Sequence, residues 1–533
     1  MKKKLATILL MSVVAMTTGC LGRGSGTAEP TPTASVATTT KNNGGKISGN
    51  QLIVSMNNPE TLNPLYNTKE NSQQALYLIF NTLVNIEEDG TISQNLAESW
   101  VANESNTVVT VTLGNSIFWH DGQKLTSDDV IFTLNKIKNI PDSPYKQAVT
   151  NLDRVEKIDD LTFKLIYKQA FSGTLQTLFF PVIPEHIYKD ADPEDTSIKP
   201  IGTGPYMFDS LTPLESINLV ANPNYFKGQP KIDQVKVEFV PDADSTLYSF
   251  KQGLIDVAYT TNTEWGKYMD SEANTSYEMV SSIYEFMGLN FSKGIFQNDL
   301  IREALACGVN RQEIIKKYYL GQAEITDTPV SPASYLFNKN LEIRKYDKEK
   351  AKLLLTQAGY NQDAKTGYML KNGTSLAFTL LVNQDNNSRV KVAKEIQSMY
   401  KEIGIDVKLD IVDAKTYLEK LKSHNFDAFL GGWNLSYATD LSFAFHSQNI
   451  AGGNNFIGFS SQTMDDLLHK NFVSTSADIV ANYEKFQEYF AATNPYISLY
   501  FTNSVLMVKN AVGGDIEPDP LNVFANVEKW EIK

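Results

Sequence analysis

The residues best equipped for chemistry stand close together in the run FDAFLGGWNLSYATD, residues 426–440. Its first part (Phe426, Ala428, Phe429, Leu430) is apolar enough to form a buried β-strand, which Gly431 and Gly432 are expected to end. Trp433, Asn434, Ser436, Tyr437 and Asp440 then arrive in quick succession. They bring two aromatic rings, an amide, hydroxyls and a carboxylate, a set suited to the wall of a pocket that reads a polar guest. Glycine lets a backbone approach another molecule closely, and in open α/β sheets ligands sit beyond the carboxyl ends of the strands. Trp433 taken alone fits equally well as a plug in a hydrophobic core. The chemistry this stretch offers is recognition without bond making.

Motifs for covalent or metal chemistry are missing. The sequence contains no GxSxG, HExxH, P-loop or Cys-x-x-Cys, so no enzyme activity, cofactor or metal site is expected. Five histidines (His120, His186, His424, His446, His469) are scattered. His120, in the turn WHDG, is expected to cap a loop. His446 is the candidate ligand if the guest were nickel or a metal chelate, against a structural role. Asp128 and Asp129 fall in the capping box Thr126-Ser127-Asp128-Asp129, which accounts for them without acid–base work. Cys307 lies in the helical pattern DLIREALACGVN and reads as a small core residue.

A chain of 533 residues exceeds one hydrophobic core, so two or three domains are expected. The formal charge of −13, or −16 without Lys2, Lys3 and Lys4, argues against nucleic acid or an anionic lipid surface as partner. Those three lysines open a leader, followed by the apolar stretch 5–16 and small residues up to Cys20; residues 1–19 read as a signal peptide. Thr17-Thr18-Gly19-Cys20 is similar to a bacterial lipoprotein box, with Thr17 where leucine is usual. That resemblance implies cleavage before Cys20 and a lipid on it as membrane anchor. Residues 20–46, rich in Gly, Ser, Thr, Pro and Asn, read as a lipidated flexible tether.

Behind the candidate pocket the chain alternates strand and helix. Leu76, Ile79, Phe80, Leu83 and Val84 form one apolar helical stripe, with Asn71 or Ser72 as N-cap. Strands are expected at 52–55, 107–113, 162–167 and 233–241, and a tight turn at Ile201-Gly202-Thr203-Gly204-Pro205-Tyr206. From residue 376 the order strand, helix, strand, helix, strand leads into the 426–440 run, as in a βαβ unit. The overall expectation is an α/β protein.

Eight stretches resemble, in order, the extracellular solute-binding proteins of family 5, the oligopeptide, dipeptide and nickel receptors of ABC importers. They are LNPLYNT, LAESW, FWHDGQKLTSDDVIFTL, IGTGPYMF, NPNYFKGQPKIDQV, IREALACGVNRQEII, YDKEKAKLLLTQAGY and FDAFLGGW. The later segment FHSQNIAGGNNFIGFSSQTMDDLL is most similar to the Gram-positive oligopeptide branch. The resemblance implies a periplasmic-binding-protein-like type II fold, two hinged α/β lobes with an extra subdomain in the first lobe. Lobe one would comprise 47–89, 203–285 and 507–533, the subdomain 90–202, and lobe two 286–506.

The same resemblance implies a monomer that captures oligopeptide at the outer face of the membrane, lipid-anchored through Cys20, and delivers it to an ABC permease and ATPase complex. Trp433, Asn434, Ser436, Tyr437, Asp440 and Asn71 are the expected substrate-binding residues. Short-peptide receptors carry an aspartate three residues after the tryptophan to hold the peptide amino group. Ser436 stands there instead, leaving Asp440 as the acidic anchor of that loop. An oligosaccharide, a nickel chelate, or sensing rather than import remain open alternatives.

Overall fold

In the computed structural model, residues 49–191, 198–437 and 440–533 are described; the leader, Cys20 and the whole tether lie outside them, as do Ala438 and Thr439. Two sheets organise the body. A four-stranded sheet runs in the order Gln51–Asn57, Gln234–Val240, Ser216–Ala221, Tyr206–Thr212, with the first pair parallel. A seven-stranded sheet contains Val257–Thr260, Tyr496–Lys509, Asn274–Leu289, Ala428–Asn434, Ala377–Asn383 and Asp406–Val412, with Ala323–Ile325 attached to its second strand.

Two long strands of that second sheet, Asn274–Leu289 and Tyr496–Lys509, pair antiparallel from Asn274↔Lys509 to Gly288↔Tyr496. They pass from one hydrophobic core to another. Met279, Leu506 and Val508 are buried in a core built on Leu52, Val54, Val235 and Trp530. Met287, Leu289, Ile497 and Leu499 are buried with Ile301, Leu380 and Ile396, while Tyr284, Phe286 and Phe501 fill an aromatic core on the other face. Between the two the ladder slips, with register shifts at Val280/Tyr284 and Glu285/Phe286. A slipped ladder between two cores is where strands bend most easily. The fold is thus two-lobed and α/β, its lobes joined through this crossing.

Beside the first sheet, Ala97–Ala102, Val108–Leu113, Thr162–Tyr167 and Leu152–Lys157 form a small antiparallel sheet. Its inward residues Val109, Val111, Phe163 and Leu165 belong to the same core as Leu52 and Val235, so this subdomain is fused to the first lobe. The capping box expected before the helix Ser127–Asn139 is present, Thr126 pairing with Asp129. The strand–helix–strand unit also forms where expected, as Ala377–Asn383, Asn387–Glu402 and Asp406–Val412, with its strands parallel.

Two local expectations are corrected. The helix read as continuing to Val84 covers only Glu70–Leu76; its N-cap is Lys69 rather than Asn71 or Ser72, and Val84 opens a strand, Val84–Ile86. Tertiary hydrogen bonds explain the stop. Gly204 N–H donates to Ile79 O at 2.8 Å and Tyr206 N–H to Leu78 O at 2.9 Å, using carbonyls that a longer helix would need. A Cβ on Gly202 would lie 1.9 Å from Ile79 O, so the glycines of that turn permit the approach. The second correction concerns Gly431 and Gly432. They do not end the strand, which runs to Asn434.

Candidate functional site

The strand Ala428–Asn434 lies antiparallel to Asn274–Leu289, placing Gly432 opposite Glu285, Trp433 opposite Tyr284 and Asn434 opposite Ile283. Gly432 is glycine for packing: a Cβ there would come within 2.2 Å of Arg389 Nη2 and 2.7 Å of Glu285 Oε1. Arg389 and Glu285 form a bidentate ion pair, Nε to Oε2 at 2.8 Å and Nη2 to Oε1 at 2.7 Å. Arg389 is pulled down by burial but held above its ordinary value by the facing Glu285 carboxylate. This pair lies across the strand behind the candidate pocket and is satisfied within the protein.

Trp433 is half-buried in the aromatic core, stacked 6.1 Å from both Phe286 and Phe456 and edge-on to Phe443 at 5.0 Å. Its Nε1–H donates to Tyr496 Oη at 3.4 Å. The tryptophan is therefore packed into this core while remaining half-exposed. Asn434 is exposed and accepts from Ser282 Oγ at 2.5 Å. Ser436 Oγ donates to Gln147 Oε1 at 2.6 Å, reaching across to the subdomain. Asp440 accepts the Ser442 N–H at 2.9 Å, at the start of the short helix Ser442–Phe445. Asn71 is half-buried in the first turn of Glu70–Leu76.

Tyr437 is half-buried at the end of the described part of this loop. Its hydroxyl is pushed far above the ordinary tyrosine range, first by burial and then by Asp519, Glu70 and Glu88, all from the first lobe's side. Glu70 opens the helix Glu70–Leu76, and Tyr259 donates to its Oε1 at 2.5 Å. Glu87 and Glu88 sit in the turn between Val84–Ile86 and Ile92–Gln94. Asp519 lies near the C-terminus, where Gln74 holds its segment in place: Nε2 donates to Pro520 O at 3.0 Å and Oε1 accepts from Val523 N–H at 2.9 Å. Burial, reinforced by Glu87 and Glu88, pushes the Asp519 carboxyl up to about 7. Desolvation raises Glu70 as well, partly opposed by Tyr259. Acidic groups from three separate stretches, Glu70, Glu87 with Glu88, and Asp519, thus act on Tyr437 or on one another.

Among these groups the sequence had pointed to Tyr437 but missed Glu70, Glu87, Glu88, Tyr259 and Asp519. The runs EEDG at 87–90 and EPDP at 517–520 show local acidity, yet nothing in them says that they converge across more than 400 residues. His120 behaves as expected of a loop cap. Gly202 N–H donates to its Nδ1 at 3.2 Å and its Nε2 bonds Gly204 O at 3.0 Å. Burial lowers it to about 4, so the ring is neutral and Nε2–H is the donor. His446 Nδ1 accepts from Gln448 N–H at 3.2 Å, and no group of three or more metal-binding side chains occurs among the described residues.

Residues 91–455 match the family model described as "Bacterial extracellular solute-binding proteins, family 5 Middle". The chain belongs to that family. The oligopeptide-binding protein AppA of Bacillus subtilis is 29% identical, the match covering 99% of each chain. Its solved structure with a nonapeptide superposes with a TM-score of 0.66 at 27% identity, covering 91% of this chain and 99% of that one. NikZ of Campylobacter jejuni, solved with Ni(L-His), shares the fold at a TM-score of 0.69 and 24% identity, covering 91% and 100%. As a family 5 solute-binding protein the chain is a receptor rather than a member of an enzyme class. It works outside the cytoplasm with a small solute as ligand and an ABC transporter as partner.

Proposed function

We propose that this family 5 protein is a monomeric, lipid-anchored receptor that captures oligopeptides by hinge closure. It delivers them to the permease and ATPase complex of an ABC importer and itself catalyses no reaction. Likeness over nearly the whole length to an oligopeptide-binding protein supports the substrate class. The hydrogen bond of 2.6 Å from Ser436 Oγ to Gln147 Oε1, between the loop after Trp433 and the subdomain of the first lobe, is the observation that supports closure. In this reading the hinge lies in the slipped ladder at 280–286 and 501–505. Lobe one comprises 47–89, 203–285 and 507–533 with the subdomain 90–202, and lobe two comprises 286–506.

A guest that touches both walls does so fully only when the lobes meet, so it favours the closed form by its differential affinity. Trp433, Asn434, Ser436, Tyr437, Asp440 and Asn71 are the lining residues assigned here, and Cys20 the lipidated one. Titration of the leaderless protein with a nonapeptide pool, cello-oligosaccharides and nickel–histidine, followed by thermal unfolding, tests the reading. A rise in unfolding temperature with peptides is expected; a response confined to sugar or nickel overturns it. Mass spectrometry of the membrane-extracted protein should find acyl mass on an N-terminal Cys20.

A further inference from the structure

Between the strand Ala323–Ile325 and the helix Lys348–Gln357 the chain runs through 326–346 with no helix or strand of its own. A loop of that length inside a compact body is commonly a working part. Its base is fixed. Buried Arg311 donates through Nη1 to Thr326 O and to Asp327 Oδ1, both at 2.7 Å, and through Nη2 to Arg344 O. Asp327 Oδ2 in turn accepts the Arg344 N–H. Buried Gln487 holds the far shoulder: its Oε1 accepts from the Asn338 N–H at 3.1 Å and its Nε2 donates to Leu336 O at 2.8 Å. Val330 and Leu336 are buried in the aromatic core with Tyr284 and Phe286. The tip between them, 331–335, is only half-buried.

That tip meets the turn Glu87–Thr91, which rises from the other lobe: Val84, just before it, is buried with Leu52 and Val235. Tyr335 N–H donates to Asp89 O at 2.7 Å, and a Cβ on Gly90 would lie 3.8 Å from the Tyr335 ring, so the ring packs on that glycine. The turn is held as firmly as the loop. Gly90 N–H donates to Glu87 O at 2.8 Å, Asp89 Oδ1 accepts the Thr91 N–H at 2.9 Å, and Gln176 Nε2 of the subdomain donates to Gly90 O at 3.2 Å. Each half is ordered by bonds on its own side, so joining them costs little conformational entropy. The contact involves a backbone donor and a ring rather than any group of the guest. It therefore adds to closure whatever side chains the guest carries.

Resting on the hinge-closure reading above, we propose that the loop 326–346 is a catch preformed on lobe two. Tyr335 engages the turn Glu87–Thr91 when the lobes meet, and the strength of that engagement sets how long a guest is retained.

The test loads leaderless wild type and variants with a fluorescent nonapeptide pool and follows its release into excess unlabelled pool. Tyr335→Ala should release the guest about fivefold faster with its association rate unchanged, the size of effect expected for truncating one aromatic at an interface. Tyr335→Phe, which keeps the ring, should fall between wild type and Tyr335→Ala. Asp89→Ala loosens the turn and should also speed release. Combined with Tyr335→Ala it should add little, because both act through one catch. An unchanged release rate in Tyr335→Ala overturns the proposal, as do effects of the two changes that multiply in full. A faster release that merely tracks a fall in apo unfolding temperature assigns Tyr335 to the packing of lobe two and also overturns it. If wild type binds no nonapeptide, the peptide reading fails by itself, and scattering from the apo proteins decides the catch. A larger envelope for Tyr335→Ala than for wild type then supports it, and an identical one overturns it.

Discussion

At the scale of single residues, Trp433 and Tyr437 separate packing from recognition. Stacked between Phe286 and Phe456, Trp433 cannot be removed without cost to the fold. Trp433→Ala is expected to lower stability by about 2–3 kcal/mol, less than for a fully enclosed tryptophan, while also weakening binding. Tyr437→Phe keeps the ring and should weaken ligand affinity with little change in denaturant midpoint. Comparing the two by urea unfolding and peptide titration distinguishes the roles; an equal loss of stability in both would make Tyr437 a core residue. Asp519 makes a further residue-level prediction. Burial and the like charges of Glu87 and Glu88 act on it against hydrogen bonds from the Leu521 and Asn522 backbones, and it acts in turn on Tyr437 and Tyr77.

Because its folded carboxyl is raised to about 7, the native state holds a proton that the unfolded chain has released, between pH 4 and 7. Apo stability contributed by this group is therefore lost as pH rises through that window. Asp519→Asn should raise apo stability at pH 8 by about 1–4 kcal/mol. Urea unfolding of both proteins between pH 5 and 9 checks this, and a difference independent of pH would contradict it.

Elements show why local patterns were read correctly in some places and not in others. The strand–helix–strand unit 377–412 was legible because each element repeats its apolar residues at its own period and meets its neighbour in chain order. Gly431-Gly432 was misread because glycine signals a turn in sequence, while here it clears space for the Arg389–Glu285 pair. Gly432→Ala should displace that pair and cost about 3–5 kcal/mol, the range for breaking a buried ion pair, measurable by urea unfolding. His120 locks the turn 202–206 against the subdomain as a neutral ring. Its folded value lies below the unfolded one, so the stability it supports is present above pH 6.5 and lost as pH falls toward 4. That loss amounts to about 3 kcal/mol. His120→Asn should flatten this part of the pH–stability curve; an unchanged slope would place the titration elsewhere.

On the scale of the whole molecule, the Ser436–Gln147 hydrogen bond is not alone in joining the lobes. Phe171 of the subdomain stacks on Phe472 at 4.8 Å, and Ser172 N–H donates to Phe472 O at 2.7 Å. Phe472→Ala is expected to weaken peptide affinity about fivefold, the worth of one aromatic pair, by favouring the open form. Small-angle scattering should show a larger apo envelope for this variant, and an unchanged envelope with unchanged affinity would remove the contact from the closing mechanism.

The sequence by itself determined the α/β alternation, the capped helices, the family likeness and the loop carrying Trp433 and Tyr437. Such features are written in neighbours a few residues apart, within reach of periodicity and capping. Only the tertiary structure decided that Gln74 ties the segment after Asp519 to the helix Glu70–Leu76, and that Asn274–Leu289 and Tyr496–Lys509 run unbroken between two cores. Those depend on contacts between residues hundreds of positions apart, where burial and like charge act through space and leave no local pattern to read.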